Sequence, residues 1–132
     1  MASLPRILHG VDLVEVARIA KMRDEHPDRF LDRCFTPAEQ EYAQGSSRRL
    51  DEHLAARVAA KEAVVKALGT GINHGVAWTD IEVTRDAEGR PGLKLTGEAA
   101  KHAEAKGVVS WAISLSHTGG MAMASVIGLV GE

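Results

Sequence analysis

The sequence predicts an α+β fold in which a long helix packs across an antiparallel sheet. Three features of the sequence lead to this prediction. An Ala-rich stretch without glycine or proline runs from about Leu50 to a glycine stop at Gly69. A stretch rich in β-branched and aliphatic residues covers Arg6 to Val16 and favours a strand. Near the end of the chain, two apolar runs that begin at Val108 and at Met121 indicate a hairpin.

Shorter elements are predicted between these features. Thr36 to Glu39 form a capping box with proline at the first helical position, and the helix that follows is expected to end near Gly45. Asp80 to Arg85 alternates as a strand, and the chain returns after a turn as a second strand, Leu93 to Thr96. Thr96 is also the expected cap of a short helix that stops at Gly107.

Composition limits the classes of protein that fit. The length of 132 residues predicts one domain over residues 1–132, and a net charge of −2 without a long basic run argues against a nucleic-acid partner. A single cysteine, Cys34, excludes an intrachain disulfide and favours a reducing compartment. The six histidines show no zinc-like pairing with cysteine. No signal peptide or membrane span is visible, so we expect a cytoplasmic protein without a membrane partner.

The long predicted helix carries charges where its pattern predicts apolar side chains. With about 100° between successive residues, one stripe of this helix is apolar and comprises Leu50, Leu54, Val58, Val65 and Leu68. Lys61 falls in the middle of the stripe, and Glu62 and Lys66 lie side by side on its flank. Glu62 and Lys66 could form an ordinary surface pair worth about 0.2–0.5 kcal/mol. The charges on this helix therefore either pair with each other or hold a ligand.

Asp12 is an acidic residue inside the first predicted strand. Alternation along the strand places five residues on one face, namely Leu8, Gly10, Asp12, Val14 and Val16. A carboxylate among aliphatic side chains needs a cation, a metal ion or several hydrogen bonds. Gly10 leaves room on the same face for another group to approach closely. Asp12 could instead cap the next helix or pair with an arginine, although Glu15 is better placed for the capping role.

A third polar segment, Ser114 to Gly120, joins the last two predicted strands. Hydroxyls, an imidazole and exposed backbone N–H groups in such a connection suit an anion, especially phosphate. A plain polar turn is the simpler interpretation of this segment when it is taken alone.

Together the three segments resemble one family, the holo-acyl-carrier-protein synthases, which are the small bacterial type of 4′-phosphopantetheinyl transferase. The resemblance rests on Gly10 to Glu15, on Arg57 to Ala63 continuing through Lys66 to Gly69-Thr-Gly71, and on Ser116 to Thr118. The order and spacing of these segments cover essentially the whole chain. Val64 departs from the family pattern, in which many members carry an aromatic residue, and this affects packing or the fit of the pantetheine arm.

The resemblance implies a 4′-phosphopantetheinyl transferase-like fold and a homotrimer with active sites at the subunit interfaces. Such an enzyme transfers 4′-phosphopantetheine from coenzyme A to a serine of apo-acyl carrier protein and releases adenosine 3′,5′-bisphosphate. The reaction depends on Mg²⁺ and supports fatty acid biosynthesis. At a site with only oxygen ligands, Mn²⁺ could replace Mg²⁺.

The resemblance also implies roles for particular residues. Asp12 and Glu62 match the two Mg²⁺ ligands and would lie on one subunit, with part of the coenzyme A pocket on the next. Lys66 matches the lysine that contacts the phosphates, and either Glu62 or a water on the metal is the base for the serine hydroxyl. The coenzyme A site would be lined by Arg57, Lys61, Gly69, Ser116, His117 and Thr118.

Basic residues between the first strand and the capping box suggest a partner surface. Arg18, Arg29 and Arg33 lie in a span of helical pattern, and the last two are four residues apart on one face. Interleaved acidic residues make a mixed, solvated face an equal alternative on the residues alone. The resemblance implies that the strongly acidic acyl carrier protein docks on these arginines. Phe30 is then either the apolar anchor of the patch or a core residue.

Two other functions fit part of the same pattern. A Mg²⁺-dependent hydrolase of a nucleotide pyrophosphate could use Asp12 and Glu62 with a positioned water and would need no docking surface. A trimeric module that binds coenzyme A or a partner without turnover is the second alternative. The residues do not distinguish a fatty-acid carrier from a polyketide carrier, and they leave open whether His117 moves a proton or binds phosphate.

Overall fold

A computed structural model describes residues 6–72 and 75–131 of the chain. The strands in this part are β1 (Arg6–Glu15), β2 (Ile81–Arg85), β3 (Pro91–Leu95), β4 (Val108–Thr118) and β5 (Met121–Val130). The α-helices are α1 (Val16–Glu25), α2 (Pro27–Cys34), α3 (Pro37–Gln44), α4 (Leu50–Leu68) and α5 (Gly97–Ala105). Two short 3₁₀ turns cover Ser47–Arg49 and Trp78–Asp80.

The strands form two antiparallel sheets, and the long helix packs on the larger one. The three-stranded sheet has the order β1-β5-β4, and β2 and β3 form a separate hairpin. Helix α4 contacts both β1 and β5 through small side chains, because its alanines allow a close approach. The buried core includes Leu54, Ala59, Ala63 and Val64 of α4 and Ala122, Ala124 and Val126 of β5. The predicted α+β fold with a long helix across an antiparallel sheet is confirmed.

The helix boundaries agree closely with the sequence prediction. Helix α4 ends at Gly69, whose φ of 74° lies in the left-handed region that favours glycine. Helix α3 begins with the predicted capping box, in which Thr36 and Glu39 exchange two hydrogen bonds. Glu15 and Thr96 occupy the N-cap positions of α1 and α5, but neither side chain makes a capping hydrogen bond.

Gly10 allows β1 and α4 to pack backbone against backbone. A Cβ atom at this position would lie only 1.9 Å from the carbonyl oxygen of Ala63. No side chain fits there, which is the close approach that the sequence predicted for Gly10. The contact fixes where β1 crosses α4, and it therefore also fixes the position of Asp12 beside the helix.

The hairpin between β4 and β5 is tighter than the sequence indicated. Ser116 to Thr118 were expected in the connecting loop, but they form the end of β4. Gly119 and Gly120 alone make the turn, with φ values of 56° and 79° that suit a two-residue type I′ turn. The connection is therefore two glycines and not a longer polar loop, because the glycine pair can close the hairpin without further residues. Phosphate binding by Ser116, His117 and Thr118 stays a prediction.

Lys61 lies in the core rather than at a surface. Its Nζ donates to Glu39 Oε1 at 2.8 Å, to the carbonyl oxygen of Trp78 at 3.0 Å and to the carbonyl oxygen of Ile81. The side chain is fully buried, and burial lowers the pKa of Lys61 whereas the Glu39 carboxylate opposes this change. All three ammonium protons are used inside the fold, so the expectation that Lys61 lines a coenzyme A pocket needs correction.

The face of the three-stranded sheet opposite α4 carries exposed apolar side chains. Alternation along the paired strands places them on one surface, which we call the outer sheet face and which comprises Ile7, Val11, Leu13, Met123, Ile127 and Leu129. Single exposed apolar residues are ordinary, but a contiguous apolar face marks an interaction surface.

No helix within residues 6–72 and 75–131 combines the length and the apolar character that crossing a membrane requires.

Candidate active site

Two carboxylates and a lysine meet where β1 crosses α4. Asp12 lies on the face of β1 that packs towards the helix, and Glu62 and Lys66 are one turn apart on α4. Lys66 Nζ donates to Asp12 Oδ1 at 2.8 Å and to the carbonyl oxygen of Val11 at 3.0 Å. The ion pair therefore joins Lys66 to Asp12, not to Glu62 as an ordinary pair along the helix would. In the part of the chain that the structure describes, Asp12 forms its ion pair with this lysine and not with an arginine.

Glu62 has an unfavourable electrostatic environment. Burial raises the pKa of Glu62 above its usual value, and the neighbouring Asp12 carboxylate raises it further. Lys66 and Arg18 act in the opposite direction without cancelling these effects. A cation placed near both carboxylates would remove this cost.

The donor set at this place fits a small hard cation. Two carboxylates from separate elements are the usual protein contribution to a Mg²⁺ site, in which water and substrate phosphates fill the other positions. Within the described ranges, no group of three or more His, Cys, Asp and Glu side chains is placed to hold a metal ion. Asp12 and Glu62 thus fit Mg²⁺ shared with a substrate better than a site made entirely of protein ligands.

A cavity of about 410 Å³ adjoins the carboxylate pair, and we call it the carboxylate cavity. Asp12 and Glu62 lie in its wall together with the arginines of the predicted partner surface, Arg18, Arg29 and Arg33. Its apolar wall includes Met22, Phe30, Val58 and Trp78. Phe30 is buried and packs edge-to-face on Phe35 with ring centres 5.5 Å apart, so it is a core residue with one side on the cavity.

The arginines lie on two helices instead of one. Arg18 is on α1, Arg29 and Arg33 are on α2, and the chain breaks its helical path at His26 before Pro27. This break turns the two helices so that arginines from both reach the same cavity. An unbroken helix would have placed Arg18 and Arg29 about 16 Å apart along its axis.

A second cavity of about 270 Å³ lies at the other end of α4, and we call it the basic cavity. Its lining includes Glu52, His53, Arg57, Arg85, Ser114 and His117. Arg57 is 1% exposed, and its guanidinium lies over the Tyr42 ring at 4.4 Å. Arg85 approaches the same ring at 5.1 Å, so two cations share one aromatic ring.

Arg57 carries buried donors that the described part of the chain does not satisfy. Its Nη1 donates to the carbonyl oxygen of His53 at 3.1 Å, while Nε and Nη2 have no partner there. Burial lowers the pKa of Arg57, and the neighbouring charge of Arg85 lowers it further. Buried donors of a cation without a carboxylate partner indicate a place for an anion.

His117 belongs to the basic cavity, but its sequence neighbours do not. His117 Nδ1 lies 3.1 Å from Glu52 Oε2. Ser116 and Thr118 lie on the opposite face of β4 by strand alternation and are absent from the lining of the cavity. Gly69 ends α4 and lies outside both cavities.

Several lining residues were not predicted as site residues. Glu52 and His53 could have been found, because His53 precedes Arg57 by one helical turn. Arg85 reaches its cavity through the packing of β2 against α4, and Trp78 through the contact of its turn with α2. No local pattern in the sequence shows either contact.

The family assignment agrees with this fold and site. Residues 9–118 match the family model described as the 4′-phosphopantetheinyl transferase superfamily. The chain therefore belongs to this superfamily.

Individual relatives define the family more narrowly. The holo-acyl-carrier-protein synthase of Trichlorobacter lovleyi is 48% identical over 118 residues, which cover 89% of this chain and 93% of the relative. A solved holo-acyl-carrier-protein synthase from Bacillus anthracis, in complex with CoA (3′,5′-ADP), is 36% identical with a TM-score of 0.77 and covers 95% of this chain and 98% of its own. The Helicobacter pylori enzyme in complex with coenzyme A is 29% identical with a TM-score of 0.80, covering 91% and 98%. Within the superfamily, the chain is an enzyme of the holo-acyl-carrier-protein synthase family.

Proposed function

We propose that this chain transfers 4′-phosphopantetheine from coenzyme A to a serine of apo-acyl carrier protein, with Mg²⁺ bound by Asp12 and Glu62. One observation carries the proposal: the two carboxylates and the three arginines, Arg18, Arg29 and Arg33, line the same cavity. A phosphoryl-transfer centre and a docking surface for an acidic partner are thus contiguous. The products are the holo-carrier and adenosine 3′,5′-bisphosphate.

The residues around the carboxylate pair have distinct tasks in this reaction. Mg²⁺, when bound, supplies positive charge that offsets the charge on the pyrophosphate as the leaving group departs. Lys66 stabilises the same developing charge from the side of α4, since its ammonium is already held beside Asp12. Glu62 is the base of this chain for the serine hydroxyl, because its carboxylate lies at the site beside Asp12 and Lys66.

The basic cavity is the proposed site for the nucleotide end of coenzyme A. Arg57 offers two unsatisfied donor atoms, Arg85 adds a second guanidinium, and His53 and His117 add imidazole rings. This arrangement suits a phosphate group with an attached ring that stacks on a guanidinium or aromatic face. The coenzyme A in the solved relatives from B. anthracis and H. pylori supports the assignment of the same ligand here.

The carboxylate cavity is the proposed docking place of the carrier. The arginines provide long-range attraction for an acidic protein. The apolar wall with Met22, Phe30 and Trp78 accepts an apolar side chain that lies between the acidic groups of the carrier. We retain Arg18, Arg29, Arg33 and Phe30 as partner-binding residues on this basis.

The outer sheet face supports a homotrimer with shared active sites. Its apolar residues would become buried against neighbouring copies, and Ser116 and Thr118 lie on that side of β4. They could therefore reach the coenzyme A site of a neighbour rather than that of their own subunit. We further propose that the enzyme serves fatty acid biosynthesis in the cytoplasm, where its free, buried Cys34 would remain reduced.

Intact-mass spectrometry of an apo-acyl carrier protein tests the proposal. The carrier is incubated with the enzyme, coenzyme A and Mg²⁺, and parallel samples contain EDTA or the Asp12→Ala variant. A mass gain of one phosphopantetheine group that both controls lack is the expected result. Cleavage of coenzyme A without modification of any of several apo-carriers would instead indicate a hydrolase, and binding without consumption would indicate a module without turnover.

Substitution of the arginines is a second experiment that distinguishes a transferase from a hydrolase. Arg29→Ala and Arg33→Ala should raise the KM for the carrier while the KM for coenzyme A changes little. A hydrolase that uses water would be indifferent to both substitutions.

A further inference from the structure

The buried ion pair of Lys61 and Glu39 connects four elements around the carboxylate cavity. Lys61 reaches from α4 to the carbonyl oxygens of Trp78 and Ile81, at the start of the β2–β3 hairpin. Glu39 accepts from the backbone N–H of Val83 at 2.9 Å through Oε2, and Oε1 caps the first turn of α3 at Thr36. Neither charged side chain lines the cavity, although Trp78 does.

Burying this ion pair has a high energetic cost. The cost points to a geometric role that a cheaper apolar pair could not fill. Both charged groups are buried, and removing two such groups from water costs several kcal/mol each before their attraction compensates it. An apolar pair of similar volume would often be as stable. What an apolar pair cannot do is hold the carbonyl oxygens of Trp78 and Ile81 at fixed points above α4.

Trp78 is the residue of this network that lines the carboxylate cavity. It lies in the short turn Trp78–Asp80, which contacts α2, and the half-buried Trp78 lines the cavity together with the arginines of α2. Two residues further on, Asp80 accepts a hydrogen bond from the backbone N–H of Ala77 at 3.1 Å through its side chain. The turn is thus anchored at both ends, to α4 through Lys61 and to itself through Asp80.

We infer that the Lys61–Glu39 pair is a positioning unit that holds Trp78 in the wall of the carboxylate cavity, and that Trp78 sets the fit of the carrier's apolar side chain. The inference rests on the proposed function for its substrate. Lys61 acts through Trp78 and contacts neither substrate nor metal.

Kinetics of two variants and their combination test the functional half of this inference. Lys61→Met keeps the apolar stem and removes all three donors, and Trp78→Ala removes the wall. Each should raise the KM for the carrier about tenfold, the size expected for one lost contact of about 1.4 kcal/mol, with kcat changed less than about twofold. Because Lys61 acts through Trp78, the double variant should show no larger KM than Trp78→Ala alone. Additive effects, or a Lys61→Met enzyme with a wild-type carrier KM, would overturn the inference.

Tryptophan fluorescence tests the structural half without any substrate. The chain has two tryptophans, so Trp111→Phe leaves Trp78 as the only emitter. In that background, Lys61→Met should shift the emission to longer wavelength and increase quenching by acrylamide, because Trp78 leaves its wall. An unchanged spectrum in the folded variant would sink the positioning role even if the transferase reaction is absent.

Loss of Lys61 alone leaves Glu39 charged and unpaired in the core, which could unfold the chain. The combination Glu39→Gln with Lys61→Met leaves no charge in this network and still lacks the donor to the Trp78 carbonyl. It should fold and show the same emission shift and carrier KM as Lys61→Met. As a matched control, Glu104→Gln with Lys106→Met changes the same residue types on the exposed end of α5 and should alter neither quantity.

Discussion

Lys66 illustrates how one side chain can link two elements at the site. Its ammonium is half-exposed, and it bonds Asp12 and the backbone of the neighbouring residue Val11. The sequence placed Lys66 beside Glu62 on the helix, whereas the structure shows that its ionic partner comes from β1. A lysine held by one carboxylate and still open to solvent can meet an incoming phosphate without a large change of conformation.

We expect Lys66→Ala to lower kcat about 100-fold and to raise the KM for coenzyme A much less. The reason is that charge accumulates on the phosphates mainly in the transition state, so the lost ammonium matters most there. Steady-state kinetics over a range of coenzyme A concentrations measure both constants. A rise in KM with unchanged kcat would show that Lys66 only binds the substrate.

The negative charge of Glu62 serves the proposed function but lowers the stability of the folded protein. Its folded-state pKa is raised by burial and by Asp12, so folding favours the protonated carboxyl. The stability that this protonation contributes is present below the usual carboxyl pKa and is lost as pH rises through the raised value in the folded state. At neutral pH the charged Glu62 therefore destabilises the metal-free protein.

We expect Glu62→Gln to unfold at a higher denaturant concentration than wild type at pH 7 in EDTA, and to be inactive. The difference in stability between the variant and wild type should narrow as pH falls below the usual carboxyl pKa, because Glu62 is then protonated in both folded and unfolded states. Urea unfolding of both proteins at several pH values measures this difference in stability. Glu104→Gln on α5 controls for the loss of a carboxylate, and an equal gap at all pH values would contradict the assignment.

At the scale of elements, the contact of β1 with α4 decides the geometry of the site. Asp12 comes from the strand and Glu62 from the helix, and Gly10 lets the two backbones meet above Ala63. The register of β1 with β5 supports this close packing. Gly10 pairs with Val126 and Asp12 pairs with Ala124, and both of these β5 residues are buried under α4. Small residues on each side bring the carboxylates together.

We expect Gly10→Ala to destabilise the fold by about 1–3 kcal/mol, because the added methyl group forces the strand from the helix. It should also weaken Mg²⁺-dependent activity in the remaining folded protein, since Asp12 moves with the strand. Urea unfolding and the transfer assay measure the two effects. Gly45→Ala is the matched control: its φ of −64° is ordinary and its nearest contact would be 3.2 Å, so its stability should change by less than about 1 kcal/mol.

On the scale of the whole molecule, the two faces of the three-stranded sheet have different roles. The inner face packs on α4 and forms the core, and the outer sheet face presents apolar side chains from β1 and β5 to the exterior. A second copy of the chain is the occupant that the family resemblance implies. The homotrimer is a proposal that explains why an interior-like surface is exposed on one subunit.

We expect Ile127→Glu to convert the assembly into folded monomers with little activity. The substitution puts a charge in the middle of the outer sheet face, where Ile127 pairs with His9 and Ala112 on the two flanking strands. Light scattering after size-exclusion chromatography gives the mass, and circular dichroism checks the fold. Gln44→Glu adds the same charge on the exposed side of α3 and should leave the mass unchanged. A wild-type protein that is already monomeric at micromolar concentration would refute the trimer.

Local patterns in the sequence were enough to predict the order of the elements and the residue types of the site. Capping, glycine stops and alternation are local effects, so the bounds of α3, α4 and β1 were predicted within a residue or two. The three motifs also indicated the family, and the family model and relatives confirm it. The single domain over residues 1–132 stays a prediction.

The pairing of the charged groups, in contrast, could be seen only in the folded molecule. Lys61 lies in the core with Glu39, Lys66 bonds Asp12, and His117 faces Glu52 while Ser116 and Thr118 point to the other side of β4. These pairings join residues far apart in the chain, and they depend on how closely helix and sheet can pack. Local patterns show that a charge needs compensation, but the partner follows from packing, because the desolvation cost is set by burial in the folded molecule.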